Sequence, residues 1–336
     1  MNPLRPLEGS LVVDLSQQLP GPFATLLLRA LGAHVVKVEP PGGETGLRVD
    51  PELYRRVTAD KEVVTLDLKS AAGREELHAL VAAADVFVEG FRPGVVARLG
   101  ADWETLSALN PDLVYCSISG YGAAGPLVAS PGHDLNYLAL SGGLPDGLPD
   151  GEALIRVPWV DLATATNAAL TILAAIMERR QGAAGRHLEI AMLDAAAIWS
   201  AAKPPRPGAE GSYGVFASAD GERLAVSVLE QDMWERLCAA LGWSDWLEDP
   251  GFADNDARRA RAARIETRLR EAIAARPVAE LLALAERHDL PISKVNGLAE
   301  AAADPQLRER GLFPAPDAWG VLGQLAETLP FKQAAV

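Results

Sequence analysis

The sequence has 336 residues, of which 49% are hydrophobic, so it can bury a sizeable core and is long enough for two domains. Lys and Arg total 31 against 45 Asp and Glu, a net charge of −14, and no stretch interleaves basic residues with aromatics as a nucleic-acid groove would. No apolar run reaches the roughly 18 residues of a membrane span, and the N-terminus lacks an apolar signal core, so the sequence predicts a cytoplasmic protein that binds neither nucleic acid nor membrane.

The first part of the chain alternates between strand and helix patterns. Residues 11–15 have the pattern of a short buried strand, residues 23–31 are helical and stop at Gly32, and residues 33–39 form a second strand. That order implies parallel strands joined by a right-handed crossover. The alternation continues with strands at 65–68, 84–89 and 113–119 and helices at 73–83 and 103–109. It predicts an α/β fold with a Rossmann-like, mostly parallel sheet covered by helices on both faces.

Three kinds of chemistry are excluded by missing motifs. The first turn, residues 17–22, reads QQLPGP and offers one glycine where a dinucleotide fingerprint needs three. Cys116 and Cys238 lie far apart, and no cluster of His, Cys and Asp has metal-ligand spacing. A nucleophile elbow of the Gly-x-Ser-x-Gly type is also missing. The sequence therefore predicts no nicotinamide cofactor, no metal and no serine-esterase chemistry.

The composition changes near residue 203. A long helix at 162–180 is rich in Ala, Leu and Ile, and a strand at 186–192 leads into a helical run at 193–202. The following KPPRPG, residues 203–208, can be neither helix nor central strand, and it marks a linker. Beyond it lie a hairpin at 214–228, helices at 231–241, 257–275 and 278–287, a strand at 291–295 and a mostly irregular stretch from 298. This pattern predicts a smaller α+β unit of ordinary domain size.

Three acidic or imidazole side chains stand at the ends of predicted elements. His133 follows a Pro-Gly turn, where an imidazole can point into a cleft with its pKa near working pH. The spacing of residues alone does not decide whether His133 has an acid/base role or a structural role. Asp161 directly precedes a helix, which suits an ordinary N-cap and equally a reactive carboxylate at the helix's positive end. Glu230 precedes the helix that starts at Gln231, where helix-terminus electrostatics is the alternative to a functional role.

Six segments together resemble the family III CoA-transferase superfamily, the group that also contains α-methylacyl-CoA racemase. In the family's order they are LSQQLPGPFA (15–24), LGAHVVKVEPP (31–41), VTLDLKS (64–70), DVFVEGFRPG (85–94), GHDLNYLALSG (132–142) and LAEAAADPQLRERGLF (298–313). The segments run from one end of the chain to the other, and as a set they are specific for this group.

The resemblance implies both an architecture and a ligand. It implies a large Rossmann-like domain of residues 1–202 completed by 300–336, a linker at 203–212, a small α+β domain of residues 213–299, and two chains interlocked as a homodimer. It also implies an acyl-CoA substrate on the large domain, with no other cofactor. The side chains that it places near the CoA phosphates are Lys37, Arg92, Lys61 and Lys69.

Two chemistries compete within the superfamily. In the transferases, an aspartate matching Asp161 attacks the thioester and passes CoA to a carboxylic acid through an aspartyl-CoA thioester. In the racemases, a histidine matching His133 and the same aspartate exchange the α-proton through an enolate, and a glutamate matching Glu230 supports the histidine. The GHDLNY context, Glu230, the compact length and the apolar Leu19 favour the racemase, although the residues after Asp161 lack the racemase's glycine run.

The sequence therefore predicts an acyl-CoA α-carbon racemase. His133 and Asp161 are its two acid/base groups, and Glu230 orients His133. A family III CoA-transferase acting through Asp161 and an acyl-CoA-binding homologue without turnover are the alternatives.

Overall fold

The structure is a computed structural model that describes residues 4–144, 157–202 and 210–309. The contacts divide them into two compact units, one of residues up to 202 together with 308–309 and one of residues 210–307. Residues 203–209 of the linker predicted at 203–212 lie outside the described residues. Residues 310–336 of the predicted C-terminal segment 300–336 also lie outside them.

Six parallel strands form the sheet of the first unit. They are β1 (Leu11–Asp14), β2 (His34–Glu39), β3 (Glu62–Thr65), β4 (Val86–Glu89), β5 (Val114–Ser119) and β6 (Arg186–Ala191). Their order across the sheet is β3-β2-β1-β4-β5-β6, and every neighbouring pair is parallel. The chain winds outward in both directions from β1 and β4. In such a sheet the crevice beyond the carboxyl ends of these two strands is where ligands bind.

Helices cover both faces of this sheet. They are α1 (Pro20–Ala30), α2 (Thr45–Val49), α3 (Pro51–Val57), α4 (Ala71–Ala82), α5 (Val95–Arg98), α6 (Trp103–Leu109), α7 (Asp134–Leu140), α8 (Trp159–Arg180) and α9 (Met192–Ala202). One core lies under α1 and α8, and the other lies under α4 and α6. Valines dominate the central strands because β-branched side chains pack well on a pleated sheet that is buried on both faces.

Helix α8 crosses the whole unit. A stripe of small side chains, among them Ala165 and Ala168, is fully buried and lets the helix lie close to α1 and to the sheet. Among the residues that the structure describes, α8 is the one helix long and apolar enough to cross a membrane, but half of the window that qualifies is buried inside the protein. That is the pattern of a core helix in an α/β domain.

The second unit combines a three-stranded antiparallel sheet with helices. Its elements are β7 (Tyr213–Ala217), β8 (Arg223–Ser227), α10 (Gln231–Leu241), α11 (Ser244–Leu247), a 3₁₀ turn (Pro250–Phe252), α12 (Asn255–Arg259), α13 (Ala262–Ala274), α14 (Val278–His288), β9 (Ile292–Lys294) and α15 (Leu298–Ala303), with α16 (Pro305–Glu309) at the boundary. Its core includes the stacked rings of Trp234, Trp246 and Phe252. The guanidinium of Arg268 lies 4.4 Å from the centre of the Trp246 ring.

This architecture confirms the predicted α/β class, with a Rossmann-like parallel sheet and a smaller α+β part, while the interlocked homodimer stays a prediction. The predicted strand 65–68 lies three residues earlier in the chain, because β3 is an exposed edge strand and the apolar Leu66 and Leu68 are buried just beyond it. The predicted helix 257–275 is two helices, broken at Arg261, where the backbone leaves the helical region. The stretch from 298, predicted as mostly irregular, begins with two short helices.

A buried ion pair sits at the carboxyl end of β1. The ammonium of Lys61, just before β3, lies 3.0 Å from Asp14 Oδ2 and also donates to the Pro22 carbonyl and the Thr25 hydroxyl of α1. Although burial alone would raise the pKa of Asp14, the ammonium groups of Lys61 and Lys37 outweigh it and hold that pKa far below its usual range. Both members of the pair are therefore charged, and the pair ties the first strand to α1 and to the start of β3.

We expect Lys61→Met to destabilise the protein strongly. The change keeps the volume of the side chain but leaves Asp14 buried without a counter-charge, a loss that typically costs about 3–5 kcal/mol. The measurement is the free energy of unfolding in urea. Lys294→Met is the matched control, because Lys294 pairs with Glu222 and Glu300 at the surface and its loss should cost less than about 1 kcal/mol. Equal costs for the two variants would contradict a special role for the buried pair.

Candidate active site

A cavity of about 310 Å³ lies at the crevice of the parallel sheet. Its walls come from the loops after β1, β4 and β5 and from the first residues of α7, α8 and α9, so it sits where the strand order predicts a ligand. The side chains that bring polar or ionisable groups to it include Gln17, Gln18, Arg92, His133, Tyr137 and Asp161. His133 and Asp161, distant in sequence, are thus brought to one cavity.

Asp161 is the one carboxylate among the described residues that line this cavity. It is half-buried in the first turn of α8, as the third helical residue, so the N-cap role considered from the sequence is wrong. Burial, and then the negative charge of Asp134, raise the pKa of Asp161 to about 7. Near neutral pH its carboxyl group can therefore exist in both protonation states, which suits a proton carrier or a basic nucleophile.

The start of α8 is capped by a residue from another helix. Asp134, the first residue of α7, accepts hydrogen bonds at Oδ1 from the backbone N–H of Val160 (2.7 Å) and of Asp161 (3.0 Å). These are two of the N–H groups that a helix start leaves without partners. Asp134 thereby fixes the backbone that carries Asp161 and, through its charge, makes the Asp161 carboxyl harder to ionise.

The ring of Tyr137 forms a wall of the cavity between two glycines. A Cβ atom at Gly120 would lie 2.5 Å from the Tyr137 hydroxyl, and one at Gly132 would lie 2.9 Å from the ring, so both positions have room for glycine alone. Burial, followed by the charges of Tyr121 and Asp161, raises the pKa of Tyr137 to about 12. Its hydroxyl is therefore a neutral hydrogen-bond donor beside the cavity.

His133 is exposed and caps α7. Its backbone is extended, and its N–H donates to Asn136 Oδ1 at 3.0 Å, which fixes the turn that carries the imidazole to the cavity wall. Among the described residues, the imidazole itself has no hydrogen-bond partner. The ring is therefore available to a substrate, as an acid/base role requires.

The four predicted phosphate-binding cations fall into two groups. Arg92 is exposed on the main cavity, and Lys69 is exposed on a neighbouring cavity of about 150 Å³ that shares Gln17 and Phe91 with it. Lys61 is enclosed by Asp14 and α1, and Lys37 is buried against Glu44 at 3.0 Å and donates to the Ser16 carbonyl. The ammonium groups of Lys37 and Lys61 are thus held by protein partners, which corrects the phosphate contact that the resemblance implied for them.

Glu230 belongs to the second unit. It is exposed at the N-cap position of α10, which begins at Gln231 as the sequence predicts, but its side chain makes no capping hydrogen bond. Its support of His133 stays a prediction.

Four cavity or supporting residues were missed by the sequence reasoning. They are Gln17, Gln18, Asp134 and Tyr137. Gln18 has a left-handed backbone, with φ of 65°, which is uncommon for a residue other than glycine. The turn before the PGP segment is the sequence signal for the two glutamines, and the GHDLNY motif is the signal for Asp134 and Tyr137.

Comparisons with known proteins agree on one family. The model of the family described as CoA-transferase family III matches residues 7–318. The acetyl-CoA:oxalate CoA-transferase of Acetobacter aceti is 33% identical over 93% of this chain and 86% of its own length. The succinate–glutarate CoA-transferase of Agrobacterium fabrum is 31% identical over 91% of this chain and 84% of its own length. A crystal structure of a CAIB/BAIF family protein from Brucella suis superposes with a TM-score of 0.78 at 30% identity, covering 91% of this chain and 88% of that one.

We expect Asp161→Asn to stabilise the protein at pH 8 and to change little at pH 4. The folded protein holds the Asp161 proton up to about pH 7, whereas an unfolded aspartate loses it near pH 3.9, so the wild type loses stability as pH rises between these values. Asparagine carries no such proton, and the gain at pH 8 should be up to about 4 kcal/mol, because the two pKa values differ by about three units and each unit corresponds to about 1.4 kcal/mol. The measurement is thermal unfolding at both pH values.

The control for this change is Asp194→Asn, which removes an exposed carboxylate from the first turn of α9. It should lower stability slightly at pH 8, because an exposed anion there favours the helix N-terminus. An Asp161→Asn protein that is less stable than the wild type at pH 8 would show that the carboxylate is not held at an electrostatic cost.

Proposed function

Because the chain belongs to CoA-transferase family III, as its sequence resemblance predicted, we propose that it transfers CoA between carboxylic acids, with Asp161 as the nucleophile. The relatives named above are transferases, and they favour this alternative over the racemase that the sequence predicted first. The observation that carries the proposal is the half-buried carboxylate of Asp161, the one carboxylate that the described part of the chain brings to the cavity, whose pKa near 7 keeps it both basic and partly ionised.

The proposed reaction needs one ionised carboxylate. The Asp161 carboxylate attacks the thioester carbonyl of the donor, and the CoA thiolate leaves, which forms an acyl-aspartyl anhydride. The thiolate then attacks the aspartyl carbonyl, giving an aspartyl-CoA thioester and releasing the first acid. The acceptor carboxylate attacks this thioester, expels the CoA thiolate and forms a second anhydride. The thiolate returns to the acceptor's carbonyl, which yields the new acyl-CoA and frees Asp161.

The surrounding side chains suit this sequence of steps. The Tyr137 hydroxyl and the Gln17 and Gln18 amides can donate hydrogen bonds to oxygens that gain negative charge as each carbonyl is attacked. Arg92 and Lys69, both exposed at the two neighbouring cavities, are the cations available for the CoA phosphates. Asp134 holds the Asp161 backbone in place throughout.

Racemisation is the second candidate, and one observation favours it. His133 and Asp161 line the same cavity, as a two-base exchange of an α-proton requires. In that reaction His133 and Asp161 would stand on opposite faces of the substrate's α-carbon, and Glu230 would support His133.

We also propose that the chain forms a homodimer through an apolar face of α8 and α9. Leu170 and Met177, seven residues apart on one side of α8, are 66% and 61% exposed. On the adjacent α9, Ile198 and Trp199 are 63% and 50% exposed. Large apolar side chains exposed on helices are typical of a protein interface, and the interlocked dimer implied by the family resemblance supplies a second copy as the partner.

A paired assay separates transfer from racemisation. The purified protein is incubated in D₂O with a 2-methylacyl-CoA, with and without a free carboxylic acid, and the products are read by mass spectrometry. We expect a new acyl-CoA only when the acid is present, and no α-deuterium without it. Asp161→Asn should lower the rate by about 10³-fold or more, because an amide is not a nucleophile. His133→Gln should leave transfer within about tenfold.

An oxygen label tests the covalent step. With an acceptor acid labelled with ¹⁸O, one turnover should leave one ¹⁸O on Asp161, an increase of about 2 Da in the peptide that contains it. Deuterium uptake without acceptor that disappears in His133→Gln, with no label on Asp161, would instead establish the racemase and reject transfer.

The double variant Leu170→Glu, Met177→Glu should yield a monomer, because burying two new carboxylates in an apolar interface is costly. The measurement is molar mass by light scattering during size-exclusion chromatography. Leu109→Glu on α6, another exposed leucine, is the control and should remain dimeric. A double variant with unchanged dimer mass would place the interface elsewhere.

A further inference from the structure

A row of polar side chains crosses three strands on the side of the sheet that faces α4 and α6. Glu89 ends β4, and it lies in register with Ser117 of β5, which in turn lies in register with Glu189 of β6. The Ser117 hydroxyl lies 2.7 Å from Nε2 of His187, two residues before Glu189 on the same face. Trp103 of α6 stacks on the His187 ring. None of these polar groups takes part in the chemistry proposed above.

Both ends of this row hold a loop of the active site. Glu89, which is 4% exposed, accepts a hydrogen bond at Oε2 from the backbone N–H of Phe91 (2.8 Å), next to Arg92 on the cavity. Glu189 Oε1 accepts from the N–H of Ala123 (2.7 Å), in the loop that brings Tyr121 to the same cavity. The row therefore lies behind the active site and bonds directly to its walls.

We propose that Glu89 is a positioning residue for CoA binding: its carboxylate holds the loop that carries Arg92, and Ser117 with His187 forms a relay that carries its proton to and from solvent. The proposal rests on the proposed function, because that function assigns Arg92 to CoA. Glu89 touches no substrate and acts through Phe91.

The relay has two consistent hydrogen-bond directions. With Glu89 ionised, the His187 Nε2–H donates to the Ser117 oxygen and the Ser117 hydroxyl donates to Glu89. With Glu89 protonated, its own O–H donates to Ser117, whose hydroxyl donates to a His187 that carries its proton on Nδ1. His187 is exposed, so it can exchange protons with water on behalf of the buried carboxyl. The Ser117 hydroxyl and the His187 ring can be hydrogen-bonded in either direction, and the register of β4 and β5 places Ser117 beside Glu89.

The electrostatic surroundings make this carboxyl sensitive to neutral pH. Burial raises the pKa of Glu89 to about 7, against the opposing hydrogen bonds from the Phe91 N–H and the Ser117 hydroxyl. Burial likewise lowers the pKa of His187. The other titratable groups facing the cavity of about 260 Å³ beside Glu89 are Asp102, Glu104, Tyr115 and Glu189, and among the described residues no Lys or Arg lines it. Burial, and then the negative charge of Glu89, raise the pKa of the Cys116 thiol.

The direction in which CoA affinity changes with pH follows from the hydrogen bond between Glu89 and the Phe91 N–H. Above about pH 7 the ionised carboxylate accepts from this N–H in a charge-assisted bond, which is stronger than a bond to a neutral acid. Below that pH the bond weakens and the loop is held less firmly. CoA should therefore bind more tightly as pH rises through 7, by roughly threefold to tenfold.

The test measures CoA affinity by calorimetry between pH 5.5 and pH 8.5. All variants are made in an Asp161→Asn background, so that the Asp161 carboxyl cannot contribute to the pH profile. We expect the CoA affinity of the Asp161→Asn parent to rise near pH 7. Adding Glu89→Gln should hold the CoA affinity at its low-pH value across the whole range, since the amide mimics the protonated acid. Glu104→Gln, which removes an exposed carboxylate from the same cavity, is the control and should keep the rise.

A second variant tests the relay. Ser117→Ala removes a hydrogen bond that stabilises the Glu89 carboxylate, so the midpoint of the rise should move to higher pH. An unchanged rise in Glu89→Gln, or an unmoved midpoint in Ser117→Ala, would overturn the proposal. Should Glu89→Gln not fold, the midpoint in Ser117→Ala decides by itself.

Amide hydrogen exchange separates this proposal from the proposed function. Glu89→Ala should speed exchange in the peptide that covers residues 90–94, relative to peptides of the second unit, whether or not the protein binds CoA. Faster exchange without CoA binding at any pH would reject the CoA assignment and keep the Glu89–loop contact. Unchanged exchange would reject the contact itself.

Discussion

The buried ion pair between Asp14 and Lys61 is the interaction on which the site end of the sheet depends. It joins the end of β1, the first turns of α1 and the residue before β3, and it is charged on both sides because each charge has several protein partners. Lys37 adds a second tie, from β2 to Glu44 and to the carbonyl of Ser16. Together they fix the start of the loop that places Gln17 and Gln18 on the cavity. Charged groups so deep in a protein are tolerated only with such partners.

Asp161 shows what happens to the same kind of side chain when none of the described residues pairs it with a cation. Asp14 is wholly buried, yet two ammonium groups keep it ionised, whereas Asp161 is only half-buried and has another carboxylate, Asp134, as its close charged neighbour. The first arrangement stabilises the fold and makes the carboxylate a poor base. The second costs stability and makes the carboxyl group basic enough to react near neutral pH. The protein thus uses aspartate in two ways within one unit, and the neighbouring charge decides which.

The fold could largely be predicted from the sequence because its signals are local. Apolar runs of four to six residues alternate with helical spacing, and that pattern implies a parallel sheet with a ligand crevice before any contact is known. The positions of His133 and Asp161 followed from family motifs. What failed depended on distant partners: Lys37 and Lys61 look like surface cations in the sequence, and only the packing of α1 and β2 against β1 encloses them. Asp161 looked like a cap because the residue that caps α8, Asp134, is 27 positions away.

Under the proposed role of Asp161, the choice between transfer and racemisation would depend on which substrate atom faces its carboxylate. The carbonyl carbon that a transferase attacks and the α-carbon whose proton a racemase removes are bonded neighbours, about 1.5 Å apart. A small change in how the thioester is held can therefore redirect the same carboxylate. The cavity loops after β4 and β5 are bonded to Glu89 and Glu189, and the Tyr137 ring lies in the cavity wall between Gly120 and Gly132. Specificity between the two reactions should thus lie in these loops and walls, since the role proposed for Asp161 is common to both.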